Sequence, residues 1–460
     1  MPRGLPHLIL PCETRYREFE AKLLFAAHAA ERGWQVTVGA KKALDTRLAR
    51  LPRGVYVGKS VTARNAGLYD ILHRLGHTVA AWDEEGLVYA SPEVYHATKV
   101  GPGILNMPEA LFAWGEANAE AWRSYPDYAG TPIAITGNPR ADLLRPELRG
   151  YFAPEAEALR EQHGDFILVN TNFSRLNHFN PGESRQRHLI EDGGAKIVSE
   201  DDPRLGLARH KEALFAAFQK MVPALARAFP DRRLILRPHP SENPAVWQRL
   251  LADCPNAQVV YEGNAAAWLC VAAATVHNGC TTAVESFLLD RPAVAFRPVI
   301  SAAYDHPLPN ALSIEARDIG ALAAEIRVLL AGGAKARQSA LAERRALAAQ
   351  HVASIEGPRA CERLLDALEP LRHARSRPNS AAGVSGIVLA EGNALLKRLQ
   401  AWRGGHRNSA AYLAHMFPPA ALPEVQATIR RFGALLGRFE ALSVRDLGQS
   451  VFRISPARAG

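Results

Sequence analysis

Two short apolar runs, residues 7–10 and 35–39, flank a stretch from Glu18 to Arg32 in which Phe19, Leu23, Leu24 and Ala27 recur at helical spacing before Gly33 ends it. Strands joined through a helix run parallel, and a parallel sheet needs cover on both faces. This strand–helix rhythm constrains the fold more than any other feature of the chain. It continues through runs at 55–58, 78–83, 111–114 and 133–136. After a charged helical connector, 154–164, it resumes at 166–170, 233–236, 258–261, 275–277 and 293–296. The expected fold class is α/β, with two Rossmann-like domains in one chain.

The expected layout is an N-terminal Rossmann-like domain over 1–150, a second over 151–330, closing helices over 331–371, a Ser/Gly/Pro-rich linker over 372–386 and a basic helical extension over 387–460. The net charge of +9 is concentrated in that last part, where residues from Leu371 onward carry thirteen Lys and Arg against four Asp and Glu. A neutral body with a basic tail argues against nucleic acid and for contact with an anionic surface, such as the inner membrane leaflet or a partner. Within the tail, Val425, Ile429, Phe432, Leu435, Leu436 and Phe439 recur at helical spacing beside Arg430, Arg431 and Arg438, a basic amphipathic helix expected over 424–442. The run Leu8-Ile9-Leu10 is broken by Pro11 and Glu13 too soon for a secretory signal, so a cytoplasmic protein, peripheral on the inner membrane, is expected. The five cysteines are scattered and read as reduced thiols.

In doubly wound sheets ligands sit beyond the carboxyl ends of the strands. RPHPSEN, residues 237–243, is a loop in that position. Arg237 can hold a phosphate bidentately and His239 can donate to it, with Pro238 and Pro240 fixing their directions. In HNGCTTAVESFLLDRPAVAF, residues 277–296, His277 ends a strand, Asn278 and Gly279 turn the chain, and Thr281 or Thr282 caps a helix reaching residue 289. Backbone N–H groups at such a turn bind anions, and Glu285, one turn further on, can accept a ribose hydroxyl. The two segments read as one nucleotide pocket. In the first half WDEEGLVY, residues 82–89, places Asp83, Glu84 and Glu85 after an apolar strand. The three cannot all face the core, and one delivered to the rim can act as a general base. Two further loops would line the substrate. One offers Glu13, Arg15 and Arg17, the other Asn170, Asn172, Arg175 and His178. The sequence has no P-loop, no G-x-G-x-x-G after the first strand, no G-x-S-x-G elbow and no zinc-spaced ligand set, so neither a cofactor nor a metal is expected.

A nucleotide pocket in one Rossmann-like half and a carboxylate loop in the other resemble a GT-B glycosyltransferase, which implies two domains facing a cleft. DEEG (83–86) together with His239-Pro240 resembles the motif pair of bacterial polysialyltransferases and related capsule enzymes, Kdo transferases among them, that use CMP-activated acidic sugars. TGNPRADLLRPELR (136–149), ILVNTNF (167–173), RPHPSE and HNGCTTAVES are similar, in that order, to the bacterial surface carbohydrate biosynthesis proteins of capsule and lipopolysaccharide. The likeness covers about residues 5–330. It implies that one of Asp83, Glu84 or Glu85 is the catalytic carboxylate and that His239 holds the donor phosphate. The partners implied are a nucleotide-activated sugar and a glycan acceptor, polysaccharide or lipid-linked. Rival readings on the same fold are a nucleotide-sugar 2-epimerase or a CDP-polyol phosphotransferase. Another is a non-catalytic scaffold of a polysaccharide assembly complex.

Overall fold

The computed structural model describes residues 5–191, 202–332, 341–372, 380–402 and 408–457. The chain forms two α/β units, one made of Met1–Leu87, Lys99–Tyr151 and Ala349–Gly460, the other of Val88–Thr98 and Phe152–Ala348.

In the first unit β1 (His7–Cys12), β2 (Gln35–Ala40), β3 (Val55–Gly58), β4 (Thr78–Trp82), β5 (Ala110–Ala113) and β6 (Ile133–Ile135) form a parallel sheet in the order β2-β1-β3-β4-β5-β6. Every residue of β1 is buried, as a central strand covered on both faces must be. In the second unit β7 (Phe166–Asn170), β8 (Arg233–Arg237), β9 (Ala257–Val259), β10 (Ala274–His277), β11 (Ala293–Phe296) and β12 (Ile314–Ala316) are all parallel, in the order β12-β11-β10-β7-β8-β9. Ile167, Val169, Leu234, Leu236, Val276 and Val294 pack against Phe218 and Trp247 in its core. Each sheet starts with an inner strand and then grows to both sides, so a crevice opens at the carboxyl end between β1 and β3 and between β7 and β10.

The tail departs from expectation. Residues 387–460 are not a purely helical extension, because β13 (Leu442–Asp446) and β14 (Val451–Pro456) form a hairpin and β14 adds antiparallel to the edge of β2. Gly39 admits it, since a Cβ there would lie 2.2 Å from the Ser450 carbonyl oxygen, which accepts from Ala40 N–H at 3.1 Å. The Leu422–Leu436 helix ends before the strand, and Val425, Ile429 and Phe432, read above as a face for a membrane, are buried in the unit. Phe432 stacks on Tyr151 with ring centroids 4.6 Å apart, and Phe19 meets Phe417 at 5.3 Å and Phe452 at 6.1 Å. The Glu20–Glu31 helix is accordingly buried almost all round.

The expected domain boundaries shift for similar reasons. Asp142 accepts hydrogen bonds from Ala360 N (2.8 Å) and Cys361 N (2.9 Å), so the Ala360–Leu368 helix belongs to the first unit. Residues 380–386 of the expected linker are the first turns of the Ser380–Ala401 helix, and 373–379 lie outside the described residues. Among the described residues no helix is long and apolar enough to cross a membrane.

If the hairpin is part of the sheet, Phe452→Ala will leave a cavity beside Phe19 and lower unfolding stability by about 3–5 kcal/mol, read from denaturant titration. A detached tail would leave the midpoint unchanged.

Candidate functional site

At the rim of the first sheet the register sets Pro11 and Cys12 of β1 level with the ends of β3 and β4. Lys22, on the first helix, is buried and points back beneath this rim. Its ammonium donates to Pro11 O (2.8 Å) and Glu18 Oε2 (2.8 Å) and pairs with Glu84 Oε1 at 3.0 Å. Burial works against the charge, but Glu18 and Glu84 hold Lys22 protonated, well above the usual lysine range. Burial holds Glu18 above its ordinary value, with Lys22 pulling the other way. Glu84 is also penalised by burial, yet Lys22, Arg140 and Lys59 together bring it below the ordinary value.

The DEEG triplet thus divides by environment. Asp83 is buried and turned to its own loop, accepting from Glu85 N at 3.2 Å, while its carbonyl takes Trp114 Nε1–H at 2.7 Å. Glu85 is half-exposed and bonded to Arg17. Glu84 is buried with one oxygen on Lys22, and its Oε2 has no hydrogen-bond partner. Arg140 of the TGNPRAD segment stacks on Trp114 at 5.6 Å and donates to the Glu84 carbonyl at 3.4 Å. Glu13 is exposed and ion-paired to Lys59, across the crevice between β1 and β3.

In the second unit Asn170 is level with both Arg237 and His277, so β8, β7 and β10 end side by side. His239 Nδ1 accepts the Ser241 N–H at 3.2 Å, which places the proton of the neutral ring on Nε2. Glu242, in the same loop, is a buried hub. It accepts from Thr171 Oγ1 (3.0 Å), Phe173 N (2.8 Å), His239 N (3.2 Å) and Trp247 Nε1 (3.1 Å). Burial pushes its carboxyl up to about 7 against the pull of these donors. At the crevice between β7 and β10, Asn278 Nδ2 donates to Asn172 O at 3.4 Å. Asn170 Nδ2 and Asn278 Oδ1 are buried there without partners. Gly279 takes φ +78°, a left-handed conformation that glycine adopts without strain.

Lys211, on the Pro203–Ala228 helix, is 8% exposed and has no hydrogen bond or ion pair among the described residues. Burial lowers its pKa to about 8, Cys280 and Asp305 oppose that, and Arg175 adds to it. Arg175 itself is exposed on the loop after β7. Asp305 is engaged elsewhere, by His210 at 2.9 Å and Arg297 at 2.5 Å.

Several expected ligands have other duties. Arg237 is buried with its guanidinium on the Glu262 (2.6 Å) and Gly263 (3.0 Å) carbonyls and over Trp268 at 4.8 Å, so it braces a loop rather than presenting its fork to a phosphate. His277 is sealed in the core and held neutral by burial, its pKa pushed down to about 3. Its Nδ1 accepts Gly279 N–H at 2.9 Å and Nε2 faces Ser313 Oγ at 2.8 Å, which locks the turn. The N-cap of the Thr281–Leu288 helix is Cys280, not Thr281 or Thr282; both threonines stand in the first turn, with Thr282 Oγ1 2.8 Å from Cys280 Sγ. Glu285 is half-buried one turn on. Arg15 reaches away from the rim to the Pro418 carbonyl (3.1 Å), the Pro419 carbonyl and Glu424. Among the described residues no three His, Cys, Asp or Glu side chains are grouped to hold a metal ion.

No protein-family model matches the sequence, and no characterised protein sequence does either. Among solved structures the chain is similar to the wall teichoic acid polymerase TagF soaked with CDPG, at 12% identity over 84% of this chain and 89% of that one, with a TM-score of 0.48. It is similar to a putative UDP-N-acetylglucosamine 2-epimerase from Listeria monocytogenes at 15% identity, 81% and 98% coverage and a TM-score of 0.47. For the Methanocaldococcus jannaschii UDP-GlcNAc 2-epimerase in complex with UDP-GlcNAc and UDP the values are 13%, 70% and 92%, and 0.43. The likeness is one of fold alone.

Sequence reading missed Glu18, Lys22, Lys59 and Arg140 in the first unit and Lys211, Glu242 and His306 in the second. Glu242 and Arg140 lay inside segments already singled out. The lysines carried no local signal, since each sits in an ordinary helix or loop. His306 bonds through Nδ1 to the Gly279 carbonyl and is held neutral, its pKa pushed down to about 3 chiefly by burial.

Lys22→Met leaves Glu18 and Glu84 buried without their cation and is expected to cost about 3–5 kcal/mol of stability in urea. Glu242 has a folded pKa above its unfolded one, so the folded form holds a proton that the unfolded form has lost between pH 4.5 and 7. Stability from this group is full below pH 4.5 and is lost as pH rises to 7, by roughly 3 kcal/mol. Glu242→Gln should remove that part of the pH dependence in urea unfolding; an unchanged slope would assign it to other groups.

Proposed function

We propose that this chain is a glycosyltransferase, with the second unit holding the phosphate of a nucleotide-activated sugar and the first supplying the base. The observation that carries the reading is Lys211. A buried ammonium without a counter-ion is costly, and a bound phosphate would supply both the charge and the acceptors. Arg175, the amide of Asn170, the Nε2–H of His239 and the first turn of the Thr281–Leu288 helix supply further positive or hydrogen-donating groups on the same rim. Glu285 suits a ribose hydroxyl.

For the donor we infer a CMP-activated acidic keto sugar of the Kdo or sialic acid type. The pairing of DEEG with His239-Pro240 supports it, and Arg175 offers a cation to the sugar carboxylate. In transfer the bond between anomeric carbon and phosphate oxygen breaks and a bond from that carbon to the acceptor oxygen forms. Charge builds on the departing phosphate, where Lys211 and His239 stabilise it. The acceptor hydroxyl gives its proton to a carboxylate, for which Glu84 with its unpaired Oε2 is the best suited of the triplet. The acceptor class inferred is a cell-surface polysaccharide or lipid-linked glycan.

Calorimetric titration of CMP, CDP and UDP tests the donor half. His239→Ala and Lys211→Met should each weaken binding of the preferred nucleotide at least about tenfold. Glu84→Gln should leave nucleotide binding intact and slow transfer by about 10²–10⁴-fold. Wild-type affinity in both donor-side variants would remove the proposal, and preference for UDP would remove the keto-sugar donor.

A further inference from the structure

The Ser380–Ala401 helix is packed inside out. Its buried positions are Gly386, Ala390 and Ala394, spaced four apart on one face. Its large apolar side chains point to solvent: Val384, Ile387, Val388 (65% exposed), Leu395, Leu396 and Leu399 (60% exposed). Trp402 follows, 90% exposed and kept in line by its N–H bond to the Leu399 carbonyl at 3.3 Å. At 3.6 residues per turn the apolar face spans roughly 200° of the circumference. No other helix of the described residues exposes a comparable row, and soluble proteins rarely leave one uncovered.

Charge says what covers it. Arg74 donates to Ser385 Oγ at 3.2 Å, Arg50 meets Glu391 at 3.4 Å, and Lys42 donates to the Lys397 carbonyl at 3.4 Å. Lys397 and Lys41 share Asp45 at 2.8 and 2.6 Å, and Arg74 also holds Asp70 at 2.7 Å. Arg398, on the outward side, is exposed and unpaired among the described residues. The helix and its supports from residues 41–74 therefore gather six cations against three carboxylates, and the helix itself belongs to the C-terminal segment that holds the chain's whole positive excess.

We propose that this helix lies along an anionic lipid surface, its Val384–Trp402 face in the acyl–headgroup boundary and its flanking lysines and arginines among the headgroups. A second copy of the chain is a poorer occupant: it would bring two cationic borders together, and the apolar face is too wide for the narrow seam of a helix pair. The proposal is independent of the transfer reaction. It reassigns membrane contact from the Leu422–Leu436 helix, whose apolar face is used up in packing, to this one.

Trp402 provides the readout, because the other six tryptophans are at most 4% exposed. Acrylamide quenching therefore reports on it nearly alone. Vesicles of equal parts phosphatidylcholine and phosphatidylglycerol should shield Trp402, blue-shift its emission and carry the full chain into the pellet. Phosphatidylcholine alone should do so weakly, and high salt should reverse the effect. Leu395→Glu/Leu399→Glu should reduce co-sedimentation at least tenfold while leaving the melting temperature and nucleotide titrations unchanged, since both side chains are exposed. Wild-type sedimentation of that double variant would overturn the proposal. So would shielding of Trp402 that rises with protein concentration, without vesicles and with a doubled mass, which would give the face to a second copy.

Discussion

One buried ammonium organises the rim of the first sheet. Lys22 arrives from a helix that is buried almost all round, and in a dry interior it must find acceptors. It finds them on three segments: the end of β1, the turn entering the helix, and the loop after β4. Closing around one cation, those segments cannot choose their shapes separately. Glu84 turns inward, Glu85 is left to pair with Arg17 outside, and Asp83 serves its own loop. A consecutive acidic triplet thus becomes three carboxylates in three environments.

The second unit solves a related problem in reverse. Its buried acid, Glu242, is met by donors from the loops after β7 and β8, so those loops are tied together and His239 is held with its Nε2–H tautomer. Its buried base, Lys211, is left unmatched. Stability alone would favour satisfying both, yet among the described residues this cation and the two amide atoms at the crevice are left without partners. Arg237 and His277, whose residue types look most like ligands, instead hold the frame on which those atoms are set.

The tail carries the same logic to the surface. Its one helix with a well-formed amphipathic pattern is absorbed into the unit, with the β13–β14 hairpin closing the edge of β2, where an open strand would invite association. The Ser380–Ala401 helix packs through glycine and alanine and turns its large side chains outward. Amphipathicity therefore says that a face will be buried, not by what.

The periodicities of residues 7–39 and their repeats determined two parallel-sheet units, because side chains two or three to four apart share a face whatever the rest of the chain does. The positions of loops after strands were legible too, and the structure sets the His239 loop after β8 and the DEEG loop after β4. What only the tertiary structure decided was partnership. Whether Arg237 meets a phosphate or a carbonyl, which of Asp83, Glu84 and Glu85 turns inward, and whether residues 442–456 extend a sheet depend on groups tens to hundreds of residues away. Buried charge and open strand edges are satisfied by whatever the fold brings near them, and that proximity is written in no local stretch of sequence.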